Sequence, residues 1–245
     1  EGTAIRGDVE VYDGATLVLD VDVPADKTLT ISVQGTTTEA NVIVADGSSI
    51  AVNGTLTINK GITFNADGEI TGNGKIIVAG KFVANAGSSV SPSFEIDGGE
   101  IVTEDAMETV KISDKLNSNF IGTPTQKVII NGNLTIKSGQ YLIIEGDLQV
   151  PEGVRVTIED GGLLLVRGPT SKVDIAGDIF SKGTGKDDKA ATMAGFTISN
   201  GEEVVITGSV TATRTGTNDN VPKTVAITGE TKLEGTITVS PKVAA

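Results

Sequence analysis

The sequence predicts an all-β chain, a degenerate-repeat β-solenoid built as a β-helix or as stacked β-arches. Three observations carry that prediction. Short runs alternate apolar and polar residues. Gly-containing corners separate the runs. Runs and corners together recur along the chain as a repeat. In Thr55-Leu56-Thr57-Ile58, Leu56 and Ile58 share one face and the threonines share the other. Asn-Gly or Asp-Gly pairs begin at Asp13, Asp46, Asn53, Asp67, Asn73, Asp97, Asn131, Asp160 and Asn200. Such pairs favour positive-φ turns, because glycine accepts that backbone geometry without a steric penalty. Corners of this kind between short β-branched runs argue for strands and against helices.

The repeat is explicit in four places. Gly132 to Ile158 (GNLTIKSGQYLIIEGDLQVPEGVRVTI) aligns with Gly7 to Ile31 (GDVEVYDGATLVLDVDVPADKTLTI). This places Gly132 on Gly7, Gly139 on Gly14, Leu142 on Leu17 and, after a two-residue gap, Pro151 on Pro24. Asn53 to Ile70 (NGTLTINKGITFNADGEI) matches Asn131 to Leu148 without a gap, and Gly229 to Val239 (GETKLEGTITV) is a fragmentary further copy. The offsets vary, so insertions interrupt a regular core.

The competing architecture is a tandem β-sandwich, in which the same runs pair antiparallel through hairpins. Repetition with variable insertions favours the solenoid. So does an aromatic content of only 3%, since small Val and Ile side chains stack well in a narrow coil. With coils of roughly 16–25 residues, the chain makes about 10–14 of them.

We read residues 1–245 as a single elongated repeat domain with two similar halves, 1–103 and 127–245. The irregular segment 104–126 between them (Glu104 to Gln126) has polar clusters, Pro124 and no alternation, and reads as a short helix or a protruding loop. Lys182 to Ala194 and Thr213 to Lys223 read as exposed loops.

Composition removes several classes of chemistry. The chain has no His, no Cys and no Trp, so zinc sites, Ser–His triads and Cys–His dyads are excluded. A net charge of −13 repels nucleic acid and anionic lipid. The longest apolar runs, such as Leu163 to Val166, are far too short to cross a membrane, so no membrane insertion is expected. The chain begins at Glu1 without Met or a basic leader, which gives the expectation of a mature protein secreted through a removed signal peptide to the cell surface or beyond.

The remaining candidate groups each have a plainer reading. Four acidic pairs, Asp20 with Asp22, Glu159 with Asp160, Asp187 with Asp188 and Glu202 with Glu203, fit the carboxylate dyads of polysaccharide-active enzymes. No further charged residue recurs beside Asp20 and Asp22 at strand spacing, and Tyr12 and Tyr141 are the only tyrosines for a sugar to stack on. We read these carboxylates as solvated surface. No cofactor is expected; calcium is the exception that the oxygen-rich turns Lys186-Asp187-Asp188 and Asn218-Asp219-Asn220 allow, but neither calcium-loop motif is present and each reads more simply as a solvated turn. Thr-x-Thr pairs at Thr28/Thr30, Thr55/Thr57, Thr211/Thr213 and Thr236/Thr238 would bind ice if stacked in a flat array, and otherwise mark ordinary outward strand positions. Asn53-Gly54-Thr55 and Asn133-Leu134-Thr135 match the N-glycosylation acceptor pattern, each beside a corner. No catalytic, cofactor-binding or metal-ligating residue is assigned.

Function then rests on the ends of the repeat. The terminal coils read as ordinary repeats, with strands expected over Thr3 to Val11 and Lys232 to Val239 and no amphipathic capping helix in view. An exposed strand edge seeks a partner, and head-to-tail pairing of unlike ends does not close. The phrases INGNLTIKSGQYLIIEGDLQV and VPEGVRVTIEDGGLLLVRG resemble those of secreted prokaryotic β-solenoid and β-arch surface proteins. The acidic, Thr-rich, Trp-free character is similar to that of archaeal and bacterial sheath, surface-layer and extracellular filament subunits. The resemblance implies a non-enzymatic structural subunit that forms a homopolymer. A surface adhesin or carbohydrate-binding module is the alternative, and a polysaccharide-active enzyme or an ice-binding protein ranks behind both.

Overall fold

A computed structural model describes residues 8–34, 39–103, 107–159, 161–183, 195–214, 224–233 and 236–239. The chain divides into two compact units, Glu1–Lys111 and Ile112–Ala245, with the boundary inside the strand Thr109–Leu116. Both are β-solenoids. Among the described residues there is no helix, and every strand pairing whose register is defined is parallel. Parallel pairing follows from coiling, because each strand meets its own successor one turn later, whereas a sandwich of hairpins would be antiparallel.

Unit 1 has three faces. The first stacks Val9–Tyr12, Thr28–Gln34, Thr55–Ile58, Lys75–Val78 and Ser93–Ile96. The second stacks Thr16–Val18, Ala40–Val44, Ile62–Ala66, Lys81–Ala84 and Glu100–Val102. On the third, Ser49–Ala51, Glu69–Thr71 and Ser89–Val90 follow one another, and Val23 bridges Val52 above them.

Alternation decides which side chains enter the coil. Leu29, Leu56, Ile76 and Phe94 form one inward column of the first face, and Ile31, Ile58, Val78 and Ile96 form the next; none is more than 1% exposed. On the second face Leu17, Val42, Phe64, Phe82 and Ile101 line up in register. Phe64 and Phe82 stack with centroids 5.5 Å apart, and Phe82 meets Phe94 of the first face edge-on at 5.0 Å. Half of the chain's six Phe residues thus fill one short stretch of core, and the rest of unit 1 is packed by Val, Ile and Leu.

Unit 2 repeats the plan with other lengths. One face stacks Phe120–Gly122, Tyr141–Ile144, Leu163–Val166 and the beginnings of Gly195–Ile206 and Thr224–Leu233. The next stacks the start of Lys127–Ile136, then Asp147–Val150, Lys172–Ile175 and the later parts of the same two long strands. The last stacks Leu134 to Ile136, Arg155–Ile158, Asp178–Gly183, Ser209–Arg214 and Thr236–Val239.

Four sequence expectations are corrected here. The described residues make about 8 turns in all rather than the 10–14 expected. Some coils are longer than the roughly 16–25 residues assumed: Ser93 follows its partner Lys75 by 18 residues, within that range, but Gly195 follows Leu163 by 32. Glu104 to Gln126 is neither helix nor simple loop, because its described part carries the strands Thr109–Leu116 and Phe120–Gly122. The two stretches read as loops begin as strand, to Gly183 and to Arg214, and their remaining residues lie outside the described ones. Finally, the Asx-Gly pairs Asn131-Gly132 and Asn200-Gly201 lie within the strands Lys127–Ile136 and Gly195–Ile206 rather than at corners, and the other seven are of two kinds. Gly14, Gly47, Gly98 and Gly161 have the expected positive φ. Gly54, Gly68 and Gly74 do not. There glycine is required because a Cβ would fall 2.1–2.3 Å from a carbonyl oxygen of the coil beneath.

Corner side chains also tie coils together. Asp13 Oδ1 accepts from Glu39 N at 3.2 Å, Asn119 Oδ1 from Tyr141 N at 2.9 Å, and Asp147 Oδ1 from Lys172 N at 2.8 Å. Each acceptor serves a backbone N–H one coil later, where a strand is about to start. This is the solenoid counterpart of a helix N-cap.

Candidate assembly surface

The first coil of unit 1 is where the strand ladder is open. Val9–Tyr12 pairs with Ile31 to Gln34, Thr16–Val18 pairs with Asn41 to Ile43, and Val23 bridges Val52. Each partner belongs to the following coil. Among the described residues, no strand meets the other edge of any of the three, so their outward N–H and C=O groups have no ladder partner. On this coil Leu17 heads its inward column half-buried over the fully buried Val42, whereas Val11, Leu19 and Val23 are buried.

The large hydrophobic side chains that stand exposed among the described residues are Tyr12 at 71%, Val18 at 62% and Ile121 at 49%. Two of these three lie on this coil. Val18 also heads an outward column, Val18, Ile43, Asn65, Val83 and Val102, which is apolar at four of its five positions. Within unit 2, Ile121 heads a comparable outward column with Ile143 and Leu165. The sequence reading pointed to the end coils and missed these residues. For Val18 the signal is the unbroken apolar triplet Leu17-Val18-Leu19, while Ile121, between Phe120 and Gly122, carries none. In a strand with a period of two, such a run must put one member outside. At the other end of the chain, Thr224–Leu233 and Thr236–Val239 likewise pair on one side only among the described residues.

The other candidate residues are placed as follows. Asp20 and Asp22 do not share a strand face, because both lie in the irregular segment between Thr16–Val18 and Val23. Asp22 is occupied structurally: its Oδ1 accepts from Ala51 N at 2.7 Å. Glu159 pairs with Lys137 at 2.8 Å and also accepts from Ser138 N. Among the described residues, no three acidic side chains come together as a metal site. Asp160, Asp187, Asp188 and the turn Asn218-Asp219-Asn220 lie outside the described residues. Glu202 and Glu203 fall on the strand Gly195–Ile206. Thr28 stacks beside Thr55 and Thr30 beside Thr57, but the next coil puts Lys75 and Ile77 at those positions, so the patch is two rungs deep. Thr211 stacks beside Thr238.

Both glycosylation candidates, Asn53 and Asn133, are exposed. Asn53 sits at a corner. Asn133 lies within the strand Lys127–Ile136, between its two ladder segments, and its Oδ1 accepts from Arg155 N at 2.8 Å. Asp at this position keeps the acceptor and removes the amide a glycan would join. Asn133→Asp is therefore expected to change stability by less than about 0.5 kcal/mol, while Asn133→Ala costs about 0.5–1.5 kcal/mol. Urea melts of the two variants check this. If the site is glycosylated, either change removes the mass of one glycan.

No family model, curated protein or solved structure matches the chain. The functional reading therefore rests on the geometry of the coil ends.

Proposed function

We propose that the chain is a structural subunit that polymerises through strand pairing at its open coil edges, as an extracellular filament, sheath or surface layer. The observation that carries this is the outer edge of the first coil, which no described strand pairs, with Tyr12 and Val18 exposed on it. A second copy meeting that edge with its last coil would continue the parallel ladder. Repeating the register of the coil beneath, four residue pairs on the first face and three on the second, supplies several hydrogen bonds at about 0.5–1.5 kcal/mol net each. It also covers Leu17, Tyr12 and Val18. The two ends are unlike, so the contact is heterologous and the assembly open-ended. A location outside the cell is supported by the resemblance of its Gly-punctuated phrases to those of secreted prokaryotic β-solenoid and β-arch surface proteins.

The net charge of −13 opposes association of like copies, so polymer formation is expected to increase with ionic strength as that repulsion is screened. The test combines light scattering with electron microscopy of the full chain. Long polymers are expected for the unmodified protein, with loss of polymer for Val18→Asp combined with Tyr12→Glu. Val83→Asp introduces the same charge into the same outward column in mid-stack, and is expected to leave polymers intact. Loss of assembly by Val83→Asp alone would move the contact from the coil end to the side of the stack. A monomer at high concentration and high salt would overturn the proposal.

A further inference from the structure

Among the described residues the third face of unit 1 ends at Ser89–Val90, and a cavity adjoins this last strand. Ser89–Val90 is the terminal strand of that face, paired with Glu69 and Ile70 on one side only. A cleft of about 520 Å³ adjoins it, walled by Ser88 to Ser91 on one side and by Met107, Glu108, Thr109 and Lys111 on the other.

Three features of this cleft ask for the same occupant. The first is the strand edge. Ser91 N donates to Ile70 O of the coil beneath at 2.8 Å. Successive residues of a strand turn their peptide groups to opposite sides, so the N–H and C=O of Val90 face the cleft. The second is the core column Ile50, Ile70 and Val90. Its first two members are fully buried, while Val90 is half-buried and among the described residues has no further register partner in the column. The third is Ser88, which is 6% exposed and whose Oγ has no hydrogen-bond partner. A buried hydroxyl without a partner is uncommon in folded proteins and points to a group still to be supplied.

We infer that this cleft binds an extended peptide segment of another polypeptide, in the pattern polar, branched aliphatic, polar, which adds to the third face as its next rung. The template is the face itself, whose earlier rungs read Ser49-Ile50-Ala51 and Glu69-Ile70-Thr71. A guest carbonyl accepts from Val90 N–H, and a guest N–H donates to Val90 C=O. The branched side chain covers Val90 and Met107. Hydroxyls of Ser89 and Thr109 line the flanks, and a rotation of Ser88 brings its Oγ to a guest backbone group. Lys111, whose Nζ donates to Ser91 O at 3.0 Å, holds one end of the strand edge in place. The recognition is that of strand addition, in which main-chain bonds bind and one side-chain pocket selects.

Equilibrium dialysis of the full chain against acetyl-Gly-Ser-Ile-Thr-Gly carrying a C-terminal fluorophore tests this, whether or not the protein polymerises. Saturable binding of one peptide per chain is expected. Methylation of the guest amide nitrogens, or Asp in place of Ile, should weaken it roughly tenfold or more, because each removes a main-chain bond or the apolar contact. Thr109→Phe fills the cleft from its rim and should abolish binding with the circular dichroism spectrum unchanged. If that variant misfolds, Ser88→Ala is expected to weaken binding several-fold instead. No saturable binding, equal binding of the N-methylated peptide, or unchanged binding by both variants would overturn the assignment. A monosaccharide that binds where the peptide does not would overturn it as well.

Discussion

Replacing Phe82 by Ala is expected to destabilise unit 1 by about 3–5 kcal/mol, the largest effect of any core truncation in that unit. Phe82 is fully buried, stacks on Phe64 at 5.5 Å and meets Phe94 edge-on at 5.0 Å, so its removal breaks both ring contacts. The cavity cannot collapse readily. The backbones around it are fixed by the ladders from Thr63 to Lys81 and from Lys81 to Glu100, and ladder spacing is set by hydrogen bonding rather than by side-chain size. Phe82→Leu keeps most of the volume and should cost less than half as much. Chemical denaturation followed by circular dichroism gives the magnitude, and hydrogen exchange locates it. In a repeat architecture, where each coil contacts only its neighbours, the loss of protection should centre on Ile62–Ala66 and Ser93–Ile96. Loss spread evenly over both units would contradict this picture of nearest-neighbour stability.

Gly74→Ala is expected to cost roughly 3 kcal/mol or more, and Gly47→Ala only about 1–2 kcal/mol, although both glycines follow an Asx residue at a corner. At Gly47 φ is +74° and an added Cβ meets nothing within 4 Å, so the cost there is the left-handed backbone alone. At Gly74 the added Cβ would fall 2.1 Å from Gly54 O, 2.7 Å from Asn53 C and 2.8 Å from Val52 O. All three are backbone atoms of the coil beneath. They cannot move aside without opening the ladder between Thr55–Ile58 and Lys75–Val78. Equal costs in parallel urea titrations would sink the distinction between the two kinds of corner.

Those two glycines show how far the primary structure could be read. Thr55-Leu56-Thr57-Ile58 announces a strand, and which residues face inward, because alternation is a property of neighbours along the chain. Asn73-Gly74 and Asp46-Gly47 announce corners for the same reason. What makes Gly74 necessary is a carbonyl 20 residues earlier in sequence, Gly54 O, and no local pattern reports it. Register has the same character. The step from one coil to the next is 18 residues at Lys75 and Ser93 but 27 at Thr28 and Thr55, so repeat alignment finds the copies without fixing which strands touch. The coil length assumed from the repeat holds at Lys75 and Ser93 and fails at Thr28 and Thr55 for this reason.

The candidate surfaces divide along the same line. That the end coils carry strands was legible from alternation at Val9–Tyr12, Thr224–Leu233 and Thr236–Val239, while Thr3 to Gly7 of the expected first strand lie outside the described residues. The exposure of Val18 was half-legible, since an apolar triplet in a strand must turn one member outward, and that of Ile121, beside Gly122, was not. The end of the third face at Val90, and the cleft beside it, depend on where the chain goes after Val102, and only the fold reports that. Alternation and corner residues, local in the chain, established an all-β coil, its inward side chains and the chemistry it lacks. Packing between residues 18 to 32 positions apart established the number of turns, the glycines that cannot be replaced and the strand edges left open. The physical reason is that a β-ladder forms between segments the sequence keeps apart, so its partners and its gaps appear only when the coils close on one another.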